Sequence, residues 1–313
     1  MGFFANPVLW ASTLTLTVPI ALAAIGATFS ERGGVVNIAM EGLMEVGALI
    51  AVVVAAATRD AWLGAAAGTA AGALAAVLLG WASLHLRADQ IVTGMAVNVL
   101  FTGLTSAGGL TGFLLVALYG QNGTPVTTPQ LPLWRIPGLD AVPFLGQVLS
   151  GQIAVFYIFL ALLVAAQFAL FRTRWGLRLR SVGENPHAAD SLGVGVIGLK
   201  WQGVLISGAL SGLAGAYLSI GTLNLYNTGM VAGRGFIALA AVIVGGWNPA
   251  GAALVSLVFG FLTAATYQLQ TASALPKNLV LMIPYLVTIV VLAAFARRVR
   301  APAADGVVYE PRA

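Results

Sequence analysis

Residues 172–200 read RTRWGLRLRSVGENPHAADSLGVGVIGLK, from Arg172 to Lys200, and this polar stretch interrupts an otherwise apolar chain. It carries Arg172, Arg174, Arg178, Arg180 and Lys200, with long hydrophobic runs on both sides. An excess of Arg and Lys in a short loop between spans marks the cytoplasmic side, so this loop orients the chain. Within it, Gly183-Glu184-Asn185-Pro186 predicts a turn, because Pro186 biases Asn185 away from helix and Gly183 is a breaker. His187 to Leu192 then predicts one short helix, ended by Gly193 and Gly195. Such a helix between two spans suits docking onto a soluble partner; the plainer reading is an ordinary positive-inside loop.

The rest of the composition agrees with spans. Of 313 residues, 59% are hydrophobic and 8% charged, and the mean hydropathy is +0.94. Soluble domains carry about 25% charged residues. The net charge of +5 implies no nucleic-acid partner, because the basic residues cluster at Arg172–Lys200 and Arg297–Arg300, where span orientation accounts for them. Cysteine is absent, which excludes disulfides and thiol chemistry. His85 and His187 are too few and too far apart for a metal centre. The start, Met-Gly-Phe-Phe-Ala-Asn-Pro, lacks a basic leader region, so no cleavable signal is expected.

A spanning helix needs about 20 apolar residues. Candidate spans are Val8–Phe29 (with Pro19 a candidate kink), Val35–Ala57, Ala61–Leu84, Gln90–Leu118, Gly151–Phe171, Lys200–Leu223, Gly251–Leu269 and Leu279–Phe295. Gly229–Gly246 is short, and reads equally as a tilted span or a re-entrant helix. The expected fold class is all-α: a polytopic membrane helical bundle of about nine spans, eight to ten at the limits. The N-terminus is expected outside and the C-terminus cytoplasmic. Residues 1–300 form the transmembrane domain, with 172–200 its cytoplasmic loop. Residues 301–313, with two prolines and no periodicity, read as a disordered cytoplasmic tail. A weak internal echo relates Val35–Ile50 to Phe236–Val255.

Polar residues inside spans are the informative ones, because each must be satisfied in hydrocarbon. Asn37, Glu41 and Glu45 recur every four residues and share one helical face. Glu31 and Arg32 are expected to pair at the interface, and Glu41 to find Arg32 or Arg87. Asn37, Thr93, Asn98 and Asn224 can donate and accept hydrogen bonds without imposing charge. With Glu41 they form the candidate pathway for a polar solute; the competing reading is interhelical bonding. No catalytic, phosphate-binding or metal-ligand constellation is visible, so no enzyme activity and no cofactor is expected of this chain.

Four ordered stretches resemble a known family. They are Ser30 to Met44, Asp89 to Leu100, Val182 to Gly193, and Gly233 to Ala240 with Gly245-Gly246-Trp247-Asn248-Pro249. The chain resembles the ABC-importer permeases of the branched-chain amino-acid and simple-sugar group, and within it the nucleoside-type permeases. Ala39 stands where that family has glycine. The resemblance implies a permease pair of identical or related chains, two cytoplasmic ATP-binding subunits and an external solute-binding lipoprotein. It implies that Gly183, Glu184, Asn185, Pro186, Ala188, Ala189, Asp190 and Gly193 couple the chain to the ATPase. It implies nucleoside import powered by the partner's ATP hydrolysis. Import of a simple sugar or a branched-chain amino acid is the nearest alternative. An ion-coupled secondary transporter using Glu41 is a different class.

Overall fold

The computed structural model describes residues 6–106, 128–138, 144–272 and 300–310, with isolated positions between them. The elements are α1 (Pro7–Arg32), α2 (Met40–Thr58), α3 (Ala61–Leu84), α4 (Gln90–Leu104), β1 (Leu133–Trp134), α5 (Leu145–Leu149), β2 (Gln152–Ile153), α6 (Ala154–Arg172), α7 (Arg174–Glu184), α8 (Pro186–Ser191), α9 (Val196–Ala216), α10 (Arg234–Val244) and α11 (Pro249–Ala272). A π-helical turn, Tyr217–Leu223, extends α9. β1 and β2 pair antiparallel.

The chain is all-helical in its spanning parts. Among the described residues six helices are long and apolar enough to cross a membrane: α1, α2, α3, α6, α9 with its extension, and α11. The expected last span, Leu279–Phe295, lies mostly outside the described residues, as does most of 105–118. A total of about nine spans and the echo between 35–50 and 236–255 are therefore not carried by these elements. The second stretch of that echo is divided by the turn between α10 and α11.

Local chemistry sets the helix starts. Asn6 accepts from Val8 N at 3.0 Å, with Pro7 in the first helical position of α1. Asp60 caps α3 through Trp62 N at 2.7 Å. Asp89 caps α4 through Ile91 N and Val92 N, both at 2.9 Å.

The centre of the bundle is α9, packed against α1, α2 and α3. Glycine makes this approach possible. A Cβ on Gly72 would lie 2.6 Å from Gly212 Cα, and one on Gly47 2.5 Å from the same atom. Three helices thus meet backbone to backbone, the small-residue packing expected where lipid supplies no hydrophobic drive between helices.

The tail differs from expectation. Residues 301–310 are folded against the bundle, with Ala304 and Tyr309 buried. Ala304 N donates to Gly183 O at 2.8 Å, and Glu310 pairs with Arg87 at 3.0 Å. Composition argues for disorder only while a segment lacks partners, and these partners come from distant parts of the chain.

Asp305 sits in this tail, facing Lys200 of α9 and Glu31 of α1. Burial pushes its carboxyl up to about 7, against the opposing pull of Lys200 and the Gly306 amide. The docked tail therefore holds a proton that the free tail releases near pH 4. Docking is strongest below that pH, weakens as pH rises towards 7 and levels off above it. With Asp305→Asn this slope is expected to vanish. A dye on the single thiol of Val307→Cys would report it as an anisotropy that falls from pH 5 to 8 only when Asp305 is present.

Candidate functional site

The first site is a break in the helical wall. Between α1 and α2 the chain leaves helix from Gly33 to Ala39. Its backbone donors need partners, since an unpaired buried N–H costs about 1–3 kcal/mol. Neighbouring helices supply them. Gln90 Oε1 accepts from Val36 N at 2.8 Å, and Asn98 Oδ1 from Gly42 N at 2.8 Å. Asn98 Nδ2 donates to Ile38 O at 2.7 Å. Asn37 Oδ1 accepts from Ala39 N at 3.0 Å, and its Nδ2 donates to Ser207 Oγ of α9 at 2.7 Å. Asn37 and Asn98 thus stitch the break to α4 and α9, which is the interhelical reading of these residues.

Glu41 has neither Arg32 nor Arg87 as its hydrogen-bond partner. Its Oε1 accepts from Gly233 N at 2.6 Å and its Oε2 from Gly235 N at 2.7 Å. Gly233 is the N-cap of α10, at φ 81, and α10 has no side-chain cap of its own. A carboxylate from α2 thus caps α10 across the bundle, and negative charge suits a helix N-terminus. One turn on, Glu45 accepts from Tyr226 Oη at 2.9 Å and Val231 N at 3.2 Å. The four-residue spacing did place both carboxylates on one face. That face meets the loop before α10.

Of the other pathway candidates, Thr93 is half-buried on α4. Asn224 ends the π-helical turn in the left-handed conformation, φ 58. Its Oδ1 is buried and has no hydrogen-bond partner among the described residues. Asn98 lies at the α2–α4 seam and Asn37 against α9, whereas Asn224 follows the π-helical turn that extends α9.

At the far end of α1, Glu31 and Arg32 do not pair with each other. Glu31, 2% exposed, accepts from Trp247 Nε1 at 2.5 Å. Arg32 donates to Trp247 O at 2.7 Å and Gly246 O at 3.0 Å, closing the C-terminus of α10. Its other face reaches Glu184 at 4.0 Å. Lys200, expected in the polar loop, is instead 1% exposed within α9 and donates to Gly34 O at 2.8 Å.

The second site is the polar stretch itself. Its short helix is present as α8, one residue earlier than expected. Asn185 is its cap, accepting from Ala188 N at 3.0 Å, and Pro186 takes the first helical position. Gly183 is not in a turn: α7 runs through it to Glu184. Glycine is needed there because a Cβ would lie 2.9 Å from Arg32 C and closer still to Arg32 O. Pro186 and Ala189 face inward, while Ala188, Asp190, Gly193 and Leu192, 83% exposed, face out. A capped helix with Ala188, Leu192 and Gly193 exposed thus follows Glu184, which reaches Arg32 of α1.

Gln90, Ser207, Tyr226 and Trp247 complete these sites and were not singled out from sequence. Gln90 and Trp247 lie inside motifs quoted above, which was the available signal. Ser207 and Tyr226 had none.

Comparison with known proteins places this geometry. Residues 9–292 match the family described as branched-chain amino acid transport system / permease component. The nucleoside ABC transporter permease protein NupC of Lactococcus lactis subsp. cremoris is 40% identical, over 96% of this chain and 95% of its own. The guanosine ABC transporter permease protein NupQ of Bacillus subtilis is 39% identical, over 95% of each. TsgC13 of Haloferax volcanii, an ABC transporter permease whose glucose assignment is provisional, is 35% identical over 88% of this chain and 82% of its own. A solved ABC transporter in an inward-facing conformation shares the fold, with TM-score 0.51 and 17% identity over 91% of this chain and 85% of that one. This chain belongs to the family of branched-chain amino acid transport system permease components, and it is a multi-pass ABC transporter permease.

Proposed function

We propose that the chain is the membrane subunit through which nucleosides enter the cell, powered by ATP hydrolysis on separate ATP-binding subunits. The observation that carries the substrate is the similarity to two nucleoside-type permeases across nearly the whole of both chains. The uncovered face of α8 supports the coupling: Ala188, Asp190 and Gly193 meet the ATPase, while Glu184, Asn185, Pro186 and Ala189 hold that face in place. A second permease chain and an external solute-binding lipoprotein complete the assembly. The N-terminus is outside, and α8 and the C-terminus are cytoplasmic. Asn37, Glu41 and Asn98 shape the wall of the route. Asn224, whose buried oxygen has no hydrogen-bond partner among the described residues, and Thr93 are the residues left to meet a nucleoside's hydroxyls and base edge.

The substrate test is uptake of labelled guanosine by cells carrying the full complex. Unlabelled nucleosides are expected to block it, and ribose, glucose and leucine to leave it intact. Block by glucose or ribose would keep the machine and replace the cargo with a sugar, the reading that the Haloferax relative favours. For the coupling, Glu184→Lys reverses the charge facing Arg32 and removes the acceptor of Ala303 N, 3.3 Å away. Uptake is expected to fall roughly tenfold, the effect of about 1.4 kcal/mol, with the amount of chain in the membrane unchanged. Uptake at the wild-type level would remove Glu184 from the coupling set.

A further inference from the structure

The tail that composition marked as disordered makes its closest contacts with the segment that carries α8. Ala304 N donates to Gly183 O at 2.8 Å, and Ala303 N to Glu184 Oε2 at 3.3 Å. Tyr309, itself buried, lays its ring 5.3 Å from that of His187, with its phenol on the side of Asp190, where burial and the Asp190 charge both push the phenol's pKa up. The same ten residues grip the bundle. Glu310 pairs with Arg87 of the α3–α4 linker at 3.0 Å. A Cβ on Gly34 would meet Ala304 O at 3.0 Å, so tail and α1–α2 linker touch backbone to backbone. Gly306 lies against Val36 of that linker, and the Asp305 carboxylate faces buried Lys200 of α9. Internal turns, Asp305 N to Pro302 O at 3.1 Å and Val307 N to Ala304 O at 3.2 Å, stiffen the segment.

We propose that residues 301–310 are a positioning strap that ties α8 to the linkers ahead of α2 and α4, so that a push on α8 by the ATPase reaches the stitched helix break. The inference rests on the coupling role proposed for α8. Its physical basis is that α8 has only six residues and is too short to hold its own orientation. Its inward side chains are a proline and an alanine, which bury little. One end is fixed by Glu184 and Arg32. The other end, at His187, is met by the strap through the ring of Tyr309. Tyr309 is accordingly a positioning residue: it meets neither solute nor nucleotide.

The test uses the whole complex, with its ATPase, binding protein and any partner permease. Three chains are compared with wild type: one ending at Ala301, Tyr309→Ala, and Tyr309→Phe. The readouts are copurifying ATPase, basal ATP hydrolysis, hydrolysis stimulated by nucleoside-loaded binding protein, and uptake. Expected for truncation and Tyr309→Ala is retained copurification and basal hydrolysis, with stimulation and uptake down at least tenfold. Tyr309→Phe keeps the ring contact with His187 and loses only the phenol oxygen, so it is expected within about threefold of wild type. Stimulated hydrolysis and uptake at wild-type levels in the truncated chain would overturn the strap. If truncation leaves no chain to purify, thiol cross-linking decides. The chain has no cysteine, so His187→Cys with Tyr309→Cys supplies a unique pair. Joining them with a short bifunctional reagent is expected to restore the transport that Tyr309→Cys alone loses. Transport lost on joining would mean that the contact must open, and would overturn the strap. A wild-type complex with no ATP-driven uptake would instead sink the permease reading on which the strap rests.

Discussion

A valine at Gly215 is expected to leave no folded permease to purify. The Cβ of any residue there would fall on Met44 O, and 2.8 Å from Ala48 N. Both belong to the backbone of α2, so no side-chain rotation can relieve the clash. Overpacking in a core with movable neighbours costs about 1–3 kcal/mol. Here α2 must move as a unit, and it is also held at backbone distance to Gly212 through Gly47. Gly215→Ala is expected to lower the unfolding midpoint by roughly 5 °C, corresponding to about 3 kcal/mol in a chain of this size. Gly198, on the first turn of the same helix, has nothing within 4 Å of its Cβ position. Gly198→Ala is expected to be neutral or mildly stabilising, because alanine favours helix by about 1 kcal/mol. Thermal unfolding of the three purified proteins in detergent checks the ordering.

Removing the carboxylate of Glu41 is expected to have an effect of similar size by a different route. Glu41→Ala strips two partly buried backbone donors, Gly233 N and Gly235 N, of their acceptors. Each loss costs about 1–3 kcal/mol, and the helix dipole of α10 loses its compensating charge. Glu41→Gln restores one acceptor and turns an amide donor towards the other N–H, so it recovers about half. Uptake below about a tenth of wild type is expected for Glu41→Ala, with a matching loss of thermal stability. Glu41→Gln falls between. Parallel loss of stability and transport distinguishes a cap from an ion-coupling carboxylate. A coupling carboxylate replaced by glutamine would leave a stable protein with altered ion dependence.

What sequence could show depended on whether a residue's partner was near in the chain. The long apolar helices were readable because their pattern lies within the segment itself. The bounds of α8 were readable for the same reason, from Asn185-Pro186 and Gly193. Glu41 was placed on the right face, but its partner is 192 residues away, and charge pattern pointed to arginines when the need was a bare helix N-terminus. Asn37 and Asn98 carry the chemistry of either a pathway or an interhelical bond. Only the non-helical backbone from Gly33 to Ala39, which period counting had merged into a span, decides that they stitch. The tail was misread because periodicity detects regular elements. Residues 301–310 are held by scattered contacts with Gly183, Glu184, His187 and Arg87 that leave no repeat in sequence.

An ATP-driven nucleoside importer, as proposed for this chain, must move its solute on ATP alone. The most direct measurement is accumulation of labelled guanosine in proteoliposomes holding the chain with its ATPase and any partner permease. The binding protein is added on the other side of the membrane from the ATPase. Accumulation is expected only with ATP on the ATPase side, and it is expected to persist when ionophores collapse every ion gradient. Accumulation that proceeds without ATP and stops with the ionophores would contradict the account and identify an ion-coupled carrier instead.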